Sequence, residues 1–255
     1  MSRGNEATQN IGAEPHPQSR PSSFERPSPG MTDATTRDAD VVRFPSRQPV
    51  RYPANSFFKR LFDLVFGVLF LVALAPVMAL IALAVMRDGG APMFRHRRIG
   101  ANGKAFDCLK FRTMCVDAEA RLAKLLSESD AARAEWERDF KLRDDPRVTR
   151  LGNFLRQSSL DELPQLLNVV RGDMSLVGPR PIVTAEAARY GAAFRDYLGC
   201  RPGLTGLWQI SGRNDVDYDT RVELDSRYAR SWSLSRDVVI LARTVGVVFA
   251  RHGAY

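Results

Sequence analysis

Cysteine, histidine and tryptophan each occur only three times in 255 residues. Cys108, Cys115 and Cys200 form no CxxC pair and no spacing that suits a metal, which excludes a disulfide mini-scaffold and fits a reducing compartment. His96 and His252 have no partner at catalytic spacing and read as surface charge. There is no internal repeat and no glycine period, so collagen is excluded. Long apolar runs are scarce as well: there is one, which excludes a multi-span transporter. Acidic residues are in the minority, 29 against 37 Lys+Arg, leaving a net charge of +8. That balance points to an anionic partner: nucleic acid, a phosphorylated substrate or a membrane surface. A nucleic-acid binder needs aromatics interleaved with Lys/Arg or a reading helix, and neither is present.

What is there falls into three zones. Residues 1–56 hold eight of the fifteen prolines with many Ser, Thr and Arg, and almost no periodic apolar residue. Such a stretch cannot bury enough surface to offset its ordering entropy, so it reads as a disordered extension; it has no apolar core with a cleavage site and is not a secretory signal. Residues 57–88 contain the apolar run, Leu64 to Met86, without a charge. As a straight helix the run measures about 35 Å, enough for a hydrocarbon layer of about 30 Å. Pro76 divides it, and positive charge flanks it on both sides: Lys59 and Arg60 before, Arg87, Arg95, Arg97 and Arg98 after. A crossing segment normally biases Lys/Arg to one side. A membrane break at Pro76, giving a helix-break-helix that re-enters, fits these flanks; a spanning helix and a buried soluble helix stay open.

The third zone, 89–255, reads as a small α+β domain, mostly helical. PMFRHRRIG and GKAFDCLKFRTM alternate around a Gly turn as a hairpin. Helices are expected over 115–143, with Leu122, Leu125, Leu126, Trp136 and Phe140 on one face, over Thr149 to Gln157, over 184–198 and over 232–251. The last gathers Arg236, Arg243 and Arg251 opposite apolar residues. It suits a flat seat on an anionic membrane as well as a core-facing helix with solvated arginines.

Chemistry concentrates in RVTRLGNFLRQSSLDELPQLLNVVRGDMSLVGPRP, residues 147–181. Asp161 and Glu162 are adjacent carboxylates beside a helix start. Ser159 and Glu162 have capping-box spacing, while Pro164 prefers the first turn of a helix beginning slightly later. Arg156 precedes the pair and Arg180 follows it in the GPRP turn. Carboxylates and arginines close to a bilayer suit a divalent metal and a phosphate ester; a lone Asp-Glu pair is more often a cap that complements a helix dipole.

SLDELPQLLNVVRGDMSLVGPRP, KFRTM and RPGLTGLWQISGRN, downstream of an apolar segment broken by proline, resemble the bacterial sugar transferases, the monotopic polyprenyl-phosphate phosphoglycosyl transferases. The resemblance covers about residues 57–250 and is to the small type, without additional membrane segments. At the membrane break, members of this family often carry Ser-Pro, where this chain has Ala75-Pro76. The resemblance implies transfer of a sugar 1-phosphate from a UDP-sugar to polyprenyl phosphate, usually undecaprenyl phosphate, on the cytoplasmic face of the bacterial inner membrane, with UMP leaving and Mg2+ as cofactor. It is the first membrane step of exopolysaccharide or another glycan.

By the same resemblance Asp161 is the nucleophile, forming a covalent phosphosugar intermediate and contacting the metal. Glu162 helps to deprotonate or position the lipid phosphate, and Arg156 and Arg180 bind phosphate. Lys110 and Arg112 in KFRTM, and Arg201 and Arg213 in the RPG and GRN turns, are further candidate substrate contacts, with membrane-surface charge as the alternative. Trp208 reads as an interface or core aromatic. A non-catalytic basic scaffold that binds anionic lipid is the rival, and it leaves the acidic pair followed by GPRP unexplained.

Overall fold

A computed structural model describes residues 52–139, 142–212 and 216–249. The first long element is helix α1, Phe57–Met86, capped by the Ser56 hydroxyl, which accepts from the Lys59 N–H. It runs as one helix through Pro76, so the expected break into two helices is absent from the described backbone. Proline removes a single ladder bond, and packing on both sides of it compensates. On the N-terminal side, Gly67 lies where a side chain would press on Val169, and the Arg60 guanidinium donates to the carbonyls of Val169 at 2.6 Å and Val170 at 2.7 Å. On the C-terminal side, Met78 and Val85 pack with Phe111 and Leu155.

The buried soluble helix is also ruled out. Phe57, Phe58, Leu61, Val65, Leu69, Val72, Leu80 and Leu83 are exposed along α1, an apolar face that no other described element covers. In length and composition it qualifies for a membrane.

The predicted hairpin is present. β1 (Met93–Ile99) and β2 (Ala105–Phe111) are antiparallel, with Phe94 opposite Lys110 and Arg98 opposite Phe106, turning through Asn102 and Gly103 at positive φ. The expected 115–143 helix is two, α2 (Ala118–Glu128) and α3 (Asp130–Asp139), parted at Ser129, whose extended backbone ends α2 and whose hydroxyl accepts from Ala132 N–H. Phe140 lies outside the described residues. Next come α4 (Arg150–Ser158) and α5 (Gln165–Arg171), then β3 (Ser175–Val177).

The 184–198 helix is likewise divided, into α6 (Ala187–Tyr190) and α7 (Phe194–Leu198), by Gly191 at φ 48 and ψ −126, a conformation open only to glycine. β4 (Gly203–Thr205) pairs parallel with β3, and α8 (Tyr218–Arg230) and α9 (Leu234–Phe249) follow. The core gathers Phe106, Cys108, Leu166, Val169, Met174, Leu176, Val177, Tyr228 and Ile240, drawing on the hairpin, α5, β3, α8 and α9. The architecture is mostly helical with two small sheets, as the α+β expectation has it.

One boundary shifts. Residues 52–56, assigned above to the extension, belong to the folded body: Pro53 and Ala54 are buried, and the Tyr52 hydroxyl donates to Asp196 Oδ1 at 3.0 Å. Residues 1–51 lie outside the described residues. α9 takes the core-facing role, burying Asp237 and Ile240, and leaves Val238, Val239 and Val245 exposed; Arg251 lies outside the described residues.

Candidate active site

The acidic pair sits between α4 and α5 in a single 3-10 turn, Leu160–Glu162. α4 is capped by the Thr149 hydroxyl, which accepts from Gly152 N–H at 2.9 Å, and it ends at Ser159 in the left-handed region, φ 58. For a residue with a Cβ that conformation costs on the order of 1 kcal/mol. It replaces the expected capping box: the Ser159 side chain caps nothing, and its carbonyl accepts from Glu162 N–H at 3.2 Å. Pro164, at φ −59, opens α5, in line with its preference for a helix start. The reversal turns both carboxylates toward the hairpin.

There Lys110 meets them. Its Nζ lies 2.7 Å from Glu162 Oε1 and 3.3 Å from Asp161 Oδ2. Asp161 is 7% exposed. Burial raises its pKa above the ordinary aspartate value, with the Glu162 charge adding to the rise, while Lys110 and Arg156 oppose it. Burial works against the Lys110 ammonium, but Glu162 and Asp161 together outweigh it and its pKa is raised. The lysine thereby opposes the rise and favours the ionised form of a buried carboxyl.

Arg156, in the last turn of α4, completes this group. α4 lies so close to the segment after β2 that a Cβ at Gly152 would collide with the Thr113 carbonyl oxygen at 1.9 Å. That approach lets Arg156 Nε donate to Thr113 Oγ1 at 2.9 Å.

A second basic group stands beside the first. Arg98 shares a hairpin face with Lys110, their rungs four residues apart, or about 13 Å. It reaches from β1 to the GPRP turn, donating to the Pro181 carbonyl at 3.1 Å and pairing with Glu186 at 3.5 Å. Arg180 in that turn lies over the Trp208 ring at 5.8 Å, and Arg221 of α8 lies over the same ring at 4.6 Å. Burial, and next the charge of Arg180, lower the pKa of both Arg98 and Arg221. Behind them Asp225 is buried and pushed up to about 7 by desolvation, its carboxyl accepting from the Tyr190 hydroxyl at 2.8 Å.

The structure therefore brings Asp161, Glu162, Lys110 and Arg156 together and places Arg180 in the adjoining group. It gives Arg112 and Arg201 other work. Arg112 grips Asp88 through both terminal nitrogens, at 2.6 and 2.5 Å, and donates to the carbonyls of Val85, Ala91 and Met114, clamping the end of α1 to the end of β2. Arg201 donates to the carbonyls of Gly172 and Ala54. Arg213 lies outside the described residues. Tyr218, Arg221 and Asp225 escaped the sequence reading, which took Arg98 only as flanking charge; the i, i+4 spacing of Arg221 and Asp225 on α8 was the available signal.

Among the described residues no group of three or more His, Cys, Asp or Glu side chains could hold a metal. The Asp161–Glu162 pair still fits magnesium, a hard cation that is usually held by one or two carboxylates with water and substrate phosphates supplying the rest.

Comparison with known proteins follows this geometry. Residues 54–251 match the profile of a family described as bacterial sugar transferase. The chain is 53% identical over 202 residues to the UDP-galactose-lipid carrier transferase of Erwinia amylovora, covering 79% of this chain and 42% of that protein. It is 52% identical to the undecaprenyl-phosphate galactose phosphotransferase of Salmonella typhimurium over 79% of this chain and 42% of that protein. It is 48% identical to the exopolysaccharide production protein ExoY of Sinorhizobium fredii, covering 87% of this chain and 99% of that protein. The chain thus spans about two-fifths of the length of the longer curated relatives and nearly the whole of the shorter one.

Proposed function

The chain belongs to the bacterial sugar transferase family, and on that premise we propose that it transfers a sugar 1-phosphate from a UDP-sugar to polyprenyl phosphate through an aspartyl-phosphosugar intermediate. The observation that carries the reading is Asp161, a buried carboxylate beside Glu162 with the Lys110 ammonium bonded to both. An Asp161 oxygen attacks the β-phosphorus of the donor, the bond to the bridging oxygen breaks, and UMP departs with that oxygen. Glu162 accepts the proton of the lipid phosphate, whose oxygen then displaces the Asp161 carboxylate and leaves a polyprenyl diphosphate sugar. Two easier displacements replace one hard one. Arg156 and Arg180 supply guanidinium forks suited to paired phosphate oxygens. Magnesium, when bound by Asp161 and Glu162, spreads the charge of the diphosphate.

The placement at a membrane rests on α1. Lys59 and Arg60 hold one end to the catalytic body, and Val85 and Asp88 hold the other through Arg112. Both ends being bonded to one body supports an unbroken helix seated with its exposed apolar side in one face of the bilayer, the cytoplasmic face of the bacterial inner membrane. The names of two relatives speak for galactose as the sugar and for entry into exopolysaccharide assembly.

The test is UMP release from UDP-galactose and UDP-glucose with undecaprenyl phosphate, together with mass spectrometry of protein incubated with donor alone. The native protein gains the mass of a phosphosugar, and Asp161→Asn gains none and does not turn over. Substantial turnover by Asp161→Asn overturns the covalent route.

A further inference from the structure

The sequence offers His96 as surface charge; β1 places it in the row of cations beside the acidic pair. On that strand Phe94 stands opposite Lys110, His96 opposite Cys108 and Arg98 opposite Phe106. All six share one face of the hairpin, and the Lys110 and Arg98 rungs each lie two residues, or about 7 Å, from His96. Lys110 bonds Asp161 and Glu162, and Arg98 holds the GPRP turn. His96 is exposed, and the side chains of Lys110 and Glu162 are 32% and 36% exposed, so this end of the row is open to a ligand.

The one hydrogen bond of the ring fixes its protonation. His96 Nδ1 lies 3.2 Å from Arg98 Nη2. A guanidinium has only donors and keeps its proton, so Nδ1 accepts; the imidazole is neutral and carries its proton on Nε2. Among the described residues Nε2 has no hydrogen-bond partner. The Phe94 ring meets the imidazole edge to face at 5.9 Å. The Arg98 fork is divided: Nη1 reaches the Pro181 carbonyl and Glu186, and Nη2 reaches His96. The charged groups that face the ring are Arg98 on its own strand, Lys110 on β2 and Glu186 from the segment before α6. Burial, then Arg98 and Lys110, hold its pKa below the ordinary histidine value, with Glu186 opposing them. The Cys108 thiol opposite is pushed up to about 11 by burial and is neutral.

We propose that His96 is a phosphate-binding residue whose charge follows occupancy: neutral and bonded to Arg98 in the empty site, protonated and released from Arg98 when the donor diphosphate lies between Lys110 and Arg98. The inference rests on the transferase reading above for the identity of the diphosphate. The proton passes from solvent to Nδ1, and no bond of the ligand is made or broken. An arriving diphosphate offsets the two cations and reverses the field at the ring, from repelling a proton to attracting one. Nδ1, once protonated, can no longer accept from Nη2. His96 and Arg98 then both present N–H groups to phosphate oxygens, in charge-assisted bonds about twice as strong as neutral ones. Nη1 meanwhile keeps the GPRP turn in place.

The test is calorimetric titration of the full chain in nanodiscs with the methylene-bridged analogue of UDP-galactose, with no lipid acceptor present. Its bridge is not cleaved, and its phosphorus oxygens do not titrate near neutral pH. Titration at neutral pH in two buffers of different ionisation enthalpy reads the protons taken up. The native protein should take up a fraction of a proton per analogue bound, and bind it roughly tenfold more tightly at about pH 6 than at about pH 8.5. Gln supplies both an N–H donor and an acceptor for Arg98. His96→Gln should therefore match native affinity within about twofold at alkaline pH, take up no proton and lose the pH dependence. Asp161→Asn should keep the uptake, which separates His96 from the titrating nucleophile.

No net uptake by the native protein overturns the proposal, whatever becomes of the variants. Equal uptake in folded His96→Gln overturns it as well, and so does an analogue that fails to bind. In each of these cases UMP release from UDP-sugars by the native protein leaves the transferase reading standing. Uptake that depends on His96, in a protein that transfers no sugar phosphate from any UDP-sugar, supports the proposal and overturns the transferase reading.

Discussion

Lys59 and Asp237 meet at 2.8 Å with 3% and 0% of their side chains exposed, an ion pair that fastens the start of α1 to α9. The same ammonium bonds Asp63 at 3.3 Å, and Asp63 Oδ1 in turn accepts from the Ser175 hydroxyl and the Leu176 N–H of β3. α1 is thus locked to the strand that leads into the GPRP turn and to a helix with exposed valines.

Removing one partner of a buried pair strands the other charge and costs about 3–5 kcal/mol. Lys59→Met should do so in full, since it strands two aspartates. Thermal melting in detergent should show a loss of many degrees. A melting temperature within a degree or two of native would mean that the network contributes nothing.

Lys110→Met should change both the rate and its pH profile. The ammonium holds the Asp161 pKa down against burial and Glu162. Without it that pKa rises, less carboxylate is available, and the rising limb of kcat/KM moves to higher pH. Loss of charge-assisted bonds worth about 1.5–3 kcal/mol predicts a fall of roughly 10- to 100-fold at neutral pH, partly recovered in alkali. A uniform loss without a shift of the limb would assign Lys110 to binding alone.

Excess chelator should stop turnover and added magnesium should restore it, because a carboxylate approaching a diphosphate faces like-charge repulsion. Undiminished turnover in chelator would leave the Lys110 and arginine charges as the whole source of neutralisation.

The anchoring of both ends of α1 predicts the outcome of cysteine labelling. In a chain whose native Cys108, Cys115 and Cys200 are replaced by Ala, Asn55→Cys and Lys104→Cys lie at exposed positions on either side of α1. A reagent that cannot cross the inner membrane should miss both in intact cells and modify both after lysis. Modification of only one in intact cells would show that α1 spans.

Asp225 predicts a pH-dependent stability. Its folded pKa, about 7, lies above the ordinary aspartate value of 3.8. The protonated form is favoured in the fold, so its contribution is full below the unfolded pKa and is lost as pH rises through about 7. At roughly 1.4 kcal/mol per unit the loss reaches about 4 kcal/mol. Asp225→Asn keeps an acceptor for the Tyr190 hydroxyl and should remove the dependence, so that native and variant melting curves converge at acid pH and part by pH 8. Parallel curves would place the Asp225 titration elsewhere.

Some elements were legible because their causes are local. The alternation of FRHRRI and AFDCLKF around Gly103 is a hairpin in any context, and Thr149 announces the start of α4. Two helices were overextended for equally local reasons whose strength periodicity does not weigh: the Ser129 hydroxyl capping α3, and the positive φ of Gly191. The break at Pro76 was inferred from the proline and from the positive charge on both flanks of the run. Gly67 against Val169 and Met78 with Val85 against Phe111 and Leu155 bear on it from a distance.

The sequence by itself determined which groups are available for chemistry. An Asp-Glu pair before a proline-led helix, a lysine and several arginines downstream of one apolar run imply anion chemistry at a membrane whatever the fold. Only the tertiary structure decided which cation serves which anion. Lys110 and Arg112 stand two residues apart, yet β2 ends between them: Lys110 stays on the strand face toward Asp161, and Arg112, past its end, swings to Asp88. Arg98, Arg180 and Arg221 come from a strand, a turn and a helix far apart in the chain; Arg180 and Arg221 meet at Trp208, and Arg98 joins them by bonding the turn that carries Arg180. Charge and hydrogen bonding act over a few ångströms of space, and which residues share those few ångströms is settled by packing, which no short stretch of sequence contains.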